Sequence, residues 1–468
     1  MLTSLHGIKT SSVCFIFSLI IFSVISKILF DHVYAVSKSI VDEKFHIPLG
    51  MSYCKFNFYE WDPKVTTLPG LYMISSLILG PLKLCSTYWL RFTSLGASLV
   101  NMVLFYVLFK KYEKNEWSNI LSALTMALIP PVYFFSLVYY TDIVSLTMIL
   151  VMIVAYEKNC HFLASIFGFA SVLCRQNNII WVGLVGGRYV LTNLHSIIME
   201  KSTRKYVSEG TERIERFTHT QTPWSSVMQL VCQPKMLLDL PLKFWLNTSS
   251  YGAVLLSFMI FLIINGSIVV GDKTAHEATI HIPQLFYFSL FSMIFAWPHF
   301  VGEVINFTKF ARRHKLMLII SLLLGIIIVL KNTIAHPYML ADNRHYSFYV
   351  WNRFYGKYAF FRFAMIPVYI FAWYVIIKTL YNKNDATYIL LYLPCVIVVL
   401  ITQKLIDFRY YFVPYILFRL RVKNNTNSVF NLTLEFVTYL LVNAITFNLF
   451  FTKTITWHDF PDPQRLIW

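Results

Sequence analysis

Apolar runs of membrane-spanning length recur along the whole chain. The first extends from Val13 to Phe30, and a later one, from Leu316 to Leu330, leads into the polar block HPYMLADNRHYSFYVW. A run of about 18 or more apolar residues can cross the hydrocarbon core of a bilayer as a helix. The pattern predicts helices over residues 13–30, 91–109, 119–136, 141–157, 160–174, 177–192, 243–266, 283–301, 316–331, 362–380, 386–401, 408–420 and 433–451.

These helices amount to about thirteen, with a range of roughly 12 to 14, because one is easily missed or split. The composition agrees with them, since the chain is 57% hydrophobic and only 13% charged, whereas a globular domain carries about 25% charged residues. We therefore predict an all-α polytopic membrane protein. No small-residue cleavage site follows the first run, so we expect an uncleaved helix there rather than a signal peptide.

Basic segments predict which side of the membrane each loop faces, because Lys and Arg collect in cytoplasmic loops. The apolar stretch 68–85 looks like a further membrane helix, but if it crossed, the first basic segment would lie opposite the others. We therefore predict a re-entrant or surface-lying helix at 68–85, inside one long external loop, 31–90. The basic segments are KKYEK at 110–114, the long segment 193–242, FARRHK at 310–315 and RLRVK at 419–423.

The same pattern divides the chain into two membrane modules. The N-terminal module is predicted over residues 1–192 and carries the external loop 31–90. The C-terminal module is predicted over residues 243–468 and carries a second external loop, 332–361. The polar, basic segment 193–242 is expected to be a cytoplasmic loop between them.

The polar blocks of the sequence all face the external side in this topology. Ionisable residues at or near membrane depth indicate a functional site. Carboxylates there can act as general bases, and Arg, Lys and His beside aromatic rings suit a lipid-linked phosphate and its sugar. The blocks are VDEKFH at 41–46, EWDPKVTTLPG at 60–70, YYTD at 139–142, CRQNNIIW at 174–181, HPYMLADNRHYSFYVW at 336–351 and KLIDFRYYF at 404–412.

Each block also has an ordinary structural explanation. Asp42 and Glu43 stand where a helix N-cap is expected, and the WDP and LPG sequences are turn formers. The net charge of +17 is expected to come from cytoplasmic Lys and Arg rather than from a nucleic-acid site. The seven cysteines show no metal-binding spacing, and Cys54 has no obvious partner in the long external loop.

Taken in order, the blocks resemble the dolichyl-phosphate-glucose-dependent α-1,2-glucosyltransferases of the endoplasmic reticulum, which add the last glucose to the lipid-linked oligosaccharide for N-glycosylation. The sixteen-residue block is the most specific match, and the matches span nearly the whole chain. Leu68 and Asn178 depart from the pattern, where a Pro and a Thr are expected, but neither change removes an ionisable group. The matching stretches are DEKFH, WDPKVTTLPGLY, YYTD, CRQNNIIW, the 336–351 block, FRYYFVPYILFRL at 408–420 and QRLIW at 464–468.

The resemblance implies a GT-C-type helix bundle whose long first lumenal loop carries surface-lying helices. It also implies a multi-pass protein of the endoplasmic reticulum membrane with its active site facing the lumen. The expected partners are dolichyl-phosphate-glucose, the diglucosylated dolichyl-diphosphate oligosaccharide and membrane lipid, with no nucleic acid, and we expect a monomer. No cofactor and no metal site are expected, because a lipid-linked donor requires neither an Asp-x-Asp motif nor a P-loop.

The implied reaction inverts the anomeric centre, because the donor is a β-phosphate and the product linkage is α. One general base is then required and no covalent nucleophile. The base is expected at Asp42, with Glu43 as the runner-up and Asp62 as a third candidate. The leaving phosphate requires cations, expected first at Arg344, His345 and His336, and then at Arg175 and Arg409. The other predicted substrate-binding residues are Asp342, Asn343, Gln176, Trp61, Asp62 and Asp142.

Other functions remain alternatives at this stage. Another dolichyl-phosphate-sugar transferase shares the same physical requirements and differs only in its motifs. A transporter explains many helices and buried polar groups, but it predicts paired discontinuous helices near the midplane and some two-fold repetition. Here the polar residues gather on one face, and repeats are not evident. A non-catalytic scaffold is a further alternative, which an inert substitution of Asp42 would favour.

Overall fold

Helices dominate the chain in a computed structural model, which describes residues 10–112, 115–208, 240–273, 279–381, 386–422, 428–457, 460 and 462–468. The helices are α1 Thr10–Val36, α2 Glu43–Cys54, α3 Gly70–Leu79, α4 Thr87–Tyr112, α5 Glu116–Ala127, α6 Pro130–Phe135, α7 Thr141–Glu157, α8 His161–Cys174, α9 Ile179–Ser208, α10 Leu242–Asn265, α11 Pro283–Phe295, α12 Trp297–Val301, α13 Val304–Arg313, α14 Lys315–Asn332, α15 Pro337–Ala341, α16 Tyr346–Val350, α17 Ala359–Ala364, α18 Ile366–Leu380, α19 Ala386–Ile401, α20 Phe412–Arg419 and α21 Ser428–Thr452. Single 3-10 turns cover Gln176–Asn178 and Phe408–Tyr411, a π turn covers Trp351–Tyr355, and strands β1 Thr454–Ile455 and β2 Gln464–Arg465 pair antiparallel.

The long apolar helices confirm an all-α polytopic membrane protein. Large apolar side chains on their outer faces are exposed, for example Phe17 on α1 and Leu316 on α14, as lipid-facing positions require. The total of about thirteen spans stays a prediction. Among the described residues, six helices are long and apolar enough to cross a membrane: Thr10–Val36, Thr87–Lys111, Leu242–Asn265, Lys315–Asn332, Ala359–Leu380 and Val429–Thr452.

The structure interrupts several helices that the apolar pattern predicts as continuous. The predicted helix 119–136 is α5 and α6, separated at Ile129, whose extended ψ of 118° is what a residue before Pro130 adopts. The predicted helix 408–420 begins with the 3-10 turn at 408–411 and becomes α-helical only from Phe412. The second interruption lies inside the polar block at 404–412.

The predicted boundaries of two loops are wrong. Residues 193–208 were predicted as loop but continue α9, because Leu194 and Ile198, one turn apart, are buried against the bundle. Most of the rest of that predicted loop, residues 209–239, lies outside the described residues. The first external loop is shorter than 31–90, since α1 extends to Val36 and α4 begins at Thr87.

Segment 37–86, which joins α1 to α4, carries two short helices and one covalent cross-link. Helix α3, Gly70–Leu79, has 10 residues and is about 15 Å long, too short to cross a bilayer; the prediction that 68–85 does not span is thus supported. Cys54, for which the sequence shows no obvious partner, forms a disulfide with Cys85. The cross-link ties the end of α2 to the residues before α4.

The C-terminal segment 464–468 lies against the residues that follow α1. Helix α7 packs on α4 and α8, and α9 packs on α10 and α19. The last long helix, α21, packs against α5 and α6 in the N-terminal part of the chain. This arrangement carries β1 and β2, which follow α21, to the residues that follow α1.

Gly70 allows α3 to pack directly on the backbone that leads to Arg175. A Cβ at Gly70 would lie 2.4 Å from the carbonyl carbon of Leu173 and 2.5 Å from the amide nitrogen of Cys174. We expect Gly70→Ala to destabilise the protein by about 1–3 kcal/mol, because backbone cannot yield as a side chain does. The measurement is thermal unfolding in detergent. Gly96→Ala on α4 is the control, since nothing lies within 4 Å of its Cβ; an equal shift for both variants would contradict the explanation.

Candidate active site

Asp42 stands at the start of α2, after a strained backbone turn whose amides are hydrogen-bonded by distant parts of the chain. The preceding residue, Val41, has φ +44°, a left-handed conformation that costs a β-branched residue roughly 1–3 kcal/mol. The Asp42 amide donates to the Tyr140 hydroxyl at 3.0 Å, and that hydroxyl donates to the Ile40 carbonyl at 3.1 Å. Backbone strain of this kind is concentrated at functional sites.

The Asp42 carboxylate is free of the helix that follows it. Asp42 occupies the N-cap position of α2, but its side chain makes no capping hydrogen bond. The side chain is 40% exposed, and Oδ2 accepts a hydrogen bond from Arg409 at 3.3 Å. A partly exposed carboxylate beside a cation can receive a proton from a substrate hydroxyl.

The Glu43 carboxylate, in contrast, is fully engaged by buried partners within the protein. Its carboxylate is completely buried in an ion pair with Arg91, which donates from Nε at 2.8 Å and from a terminal nitrogen at 2.6 Å. The amides of Ile40 and Tyr139 donate to the same two oxygens at 3.0 and 2.7 Å. Of the two neighbouring acids, only Asp42 therefore has oxygen lone pairs that a substrate can reach.

Arg409 is oriented toward Asp42 by a buried acid. Asp407 accepts from the Arg409 amide at 2.8 Å and pairs with its guanidinium at 2.7 Å. Burial raises the pKa of the Asp407 carboxyl, but the charge and hydrogen bonds of Arg409, with a smaller contribution from His345, lower it below its usual value. The guanidinium also lies over the rings of Phe135 and Tyr140, 5.6 and 5.5 Å from their centroids.

Arg175 is a second cation near Asp142 and Tyr410. It pairs with Asp142 at the start of α7 and lies over the Tyr410 ring, 5.8 Å from its centroid. The other carboxylate oxygen of Asp142 is buried and has no hydrogen-bond partner among the described residues. The next residue, Gln176, donates to the Thr66 carbonyl at 2.9 Å, which fastens segment 37–86 to the start of the 3-10 turn.

Trp61 and Asp62 lie on the loop that precedes α3. Asp62 accepts from the Lys64 amide at 2.8 Å, which is an Asx-type turn. Trp61 packs edge-on against Tyr72, with ring centroids 6.2 Å apart. The Asp62 carboxylate is engaged in its own turn, which makes it a weaker candidate for the base than Asp42.

The 336–351 block forms a second cluster, which the segment 464–468 joins to the rest. Arg344 is buried, makes a two-pronged pair with Asp342 at 2.8 and 2.7 Å, and stacks on Trp457 at 4.3 Å. His336 caps α15 by accepting a hydrogen bond from the Tyr338 amide, and the side-chain oxygen of Asn343 is buried. His345 lies 3.7 Å from Asp342 and contacts the Trp468 carbonyl at 3.1 Å.

The structure thus divides the predicted site residues into two groups. Asp42, Asp142, Arg175 and Arg409 lie together, with Glu43 buried beneath them. Arg344, first among the predicted phosphate ligands, is instead engaged by Asp342 and Trp457. Segment 464–468 contacts both groups, through Ile467 at Arg344 and through Gln464 at Val41.

Sequence reasoning missed several residues that build this site. Arg91 reads as the first residue of a membrane helix, and nothing local marks it as the partner of Glu43. Tyr140, Asp407 and Gln464 lie inside blocks that the sequence singled out, but no role follows from their positions alone. No group of three or more potential metal ligands occurs in the part of the chain that the structure describes.

His46, one turn into α2, predicts a pH dependence of stability. It pairs through Nδ1 with the Tyr72 hydroxyl, and desolvation lowers its pKa below 6.5 despite the opposing effect of Asp42. The unfolded chain therefore binds a proton that the folded chain resists, and stability is lost as the pH falls through about 6.5. We expect the decrease in melting temperature between about pH 7.5 and pH 5.5 to be smaller in His46→Gln; an unchanged decrease would contradict this.

Comparison with known proteins identifies the family. The DIE2/ALG10 family matches residues 36–420, and no solved structure matches. The chain is 39% identical to a Drosophila melanogaster protein over 94% of the chain and 96% of the relative. It is 33% identical to a human protein over 98% and 97%, and 31% identical to an Arabidopsis thaliana protein over 94% and 96%. All three relatives are named Dol-P-Glc:Glc(2)Man(9)GlcNAc(2)-PP-Dol alpha-1,2-glucosyltransferase. The chain therefore belongs to the DIE2/ALG10 family.

Proposed function

We propose that this chain transfers glucose from dolichyl-phosphate-glucose to the 2-hydroxyl of the terminal glucose on the diglucosylated dolichyl-diphosphate oligosaccharide. Relatives of this chain are named for that activity, and the match with this chain covers nearly their full length. The observation that carries the proposal is the contrast between neighbouring acids: Asp42 is 40% exposed beside Arg409, while Glu43 is sealed against Arg91. A lipid-linked donor also suits a site built on membrane helices.

The reaction is a single displacement with inversion. The Asp42 carboxylate accepts the proton of the acceptor 2-hydroxyl as that oxygen bonds to the anomeric carbon of the donor glucose. The bond from the anomeric carbon to the phosphate oxygen breaks at the same time, and dolichyl phosphate leaves. No covalent intermediate on the enzyme is involved.

Arg409 and Arg175 stabilise the phosphate that leaves. Both are Arg, whose rigid fork of donors matches a phosphate, and both belong to the group of residues around Asp42. Asp407 and Asp142 orient them through ion pairs. His345 is the phosphate-binding residue that the 336–351 block contributes, while the ion pair of Arg344 with Asp342 stabilises that block. His336, Asn343, Gln176, Trp61 and Asp62 complete the proposed walls of the substrate site.

The site faces the lumen of the endoplasmic reticulum, and the protein acts there as a monomer embedded in membrane lipid. The basic segments around 110–114 and 310–315 support this orientation, because they belong on the cytoplasmic side. The reaction requires no cofactor and no metal ion, so we expect EDTA to leave the rate unchanged.

A donor and acceptor panel tests the proposed function. The purified chain in lipid nanodiscs is given dolichyl-phosphate-glucose, dolichyl-phosphate-mannose or UDP-glucose, with diglucosylated or monoglucosylated acceptor, and the products are weighed. We expect one added hexose only with dolichyl-phosphate-glucose and the diglucosylated acceptor. Transfer from the mannosyl donor would favour a different transferase of the same class. A folded chain that transfers from no donor would overturn the enzyme function.

A further inference from the structure

The backbone just before Asp42 is held by Gln464, a residue more than four hundred positions later in the sequence. Gln464, on β2, is 2% exposed. Its side-chain oxygen accepts from the Val41 amide at 3.3 Å, and its nitrogen donates to the Ser39 carbonyl at 3.3 Å. One side chain thus bridges a donor and an acceptor on both sides of Ile40, in the turn that ends at Asp42.

Each amide of this turn has a different partner. Glu43 receives the Ile40 amide, Gln464 the Val41 amide and Tyr140 the Asp42 amide. Without its partner, the Val41 amide would be buried and unsatisfied, while the left-handed φ of Val41 is already unfavourable. Gln464 therefore opposes relaxation of Val41 to an ordinary conformation, which would rotate the Asp42 carboxylate away from Arg409.

The segment 464–468 is itself anchored to the second cluster. Ile467 is completely buried and exchanges backbone hydrogen bonds with the 336–351 block, donating to Arg344 at 2.8 Å and accepting from Tyr346 at 3.0 Å. Arg465 donates to the last carbonyls of α21, including Phe451 at 2.9 Å. One end of the segment is therefore hydrogen-bonded to the 344–346 backbone, and the other end is hydrogen-bonded to the turn that precedes Asp42.

We propose, on the basis of the function proposed above, that Gln464 is a positioning residue for Asp42: its buried amide holds the 39–41 turn so that the carboxylate meets the acceptor hydroxyl. The role differs from that of Asp42, because Gln464 has no contact with the reacting atoms. The role also differs from ordinary packing, because the loss of rate on replacing Gln464 depends on the presence of Asp42.

The test compares Gln464→Met, which keeps a similar volume and removes both hydrogen bonds, with wild type in lipid nanodiscs. We expect kcat to decrease on the order of 10- to 100-fold, because small displacements of a reacting group have effects of that size, with KM for dolichyl-phosphate-glucose within about twofold. Gln464→Glu keeps an acceptor for the Val41 amide and is expected to retain more of the rate than Gln464→Met. Melting temperatures of all variants establish that each is folded.

Asp462→Asn is the matched control. Asp462 pairs with Lys38 at 3.1 Å, an exposed contact between the same two parts of the chain, and such pairs contribute little. We expect it to leave kcat unchanged. A decrease equal to that of Gln464→Met would overturn the positioning role, because it would show that any contact between these segments matters equally.

The decisive comparison repeats Gln464→Met in an Asp42→Asn background, with the residual rate measured over long incubations. If Gln464 acts through Asp42, the second substitution causes little further loss there, since coupled residues are not additive. Equal fold losses in both backgrounds, or no loss in the wild-type background, would overturn this inference while leaving the proposed function intact. A folded wild-type chain without transfer would overturn both.

Discussion

Replacing Asp42 by asparagine is expected to lower kcat by about 10²- to 10⁴-fold, the range typical for loss of a general base. The amide keeps the shape of the carboxylate but cannot take the proton of the acceptor hydroxyl. The Asp42 side chain is 40% exposed, and the contact described for it is a 3.3 Å hydrogen bond from Arg409. The melting temperature should therefore stay close to that of wild type. The measurement is the initial rate of glucose transfer by purified protein.

Asp31→Asn is the control for this experiment. Asp31 lies on α1, is about as exposed as Asp42, and pairs with Lys27 and Tyr88 among the residues that the structure describes. We expect it to transfer at the wild-type rate. If Asp42→Asn also transfers at that rate, the base lies elsewhere, and Asp62 becomes the next candidate.

Replacing Glu43 by glutamine should have the opposite profile, with the main loss in stability. Breaking a fully buried ion pair by neutralising one partner costs about 3–5 kcal/mol, because the remaining charge, here Arg91, is left without a counter-ion. The amides of Ile40 and Tyr139 also lose a charged acceptor. The free energy of unfolding in detergent measures this effect.

Glu60→Gln provides the comparison, since Glu60 is exposed and bonds only to Ser52 and Asn57 among the contacts described for its side chain. We expect a change of less than about 0.5 kcal/mol for it. A Glu43→Gln protein that is as stable as wild type but inactive would show that Glu43, and not Asp42, takes the proton.

The sequence predicted the class of fold because the bilayer constrains it so strongly. Apolar runs must be helices in lipid, and the charge pattern was enough to predict that 68–85 does not cross, as the ten-residue α3 supports. Helix breaks were harder to predict, because the effect of Pro130 depends on local backbone geometry. The extension of α9 through residues 193–208 was missed because burial of Leu194 and Ile198 is a tertiary property.

The candidate site was predictable as a set of blocks but not as a geometry. Asp42 and Glu43 are adjacent and chemically alike, and the residues that distinguish them are distant in sequence: Arg91 at Glu43 is 48 positions away, and Arg409 at Asp42 is 367 positions away. Cys54 and Cys85 are 31 residues apart, and a spacing of that length predicts no pairing. Gln464 finds its partners 423 and 425 residues away, a contact that arises only because α21 packs against α5 and α6.

The most direct test of the central claim is the structure of the linkage that the purified chain makes. The product formed from dolichyl β-glucosyl phosphate and the diglucosylated acceptor would be analysed by methylation and by NMR of the anomeric proton. The proposed mechanism predicts one new glucose, joined by an α-linkage to the 2-hydroxyl of the terminal glucose. A β-linkage, substitution of a different hydroxyl, or no product from folded protein would contradict it.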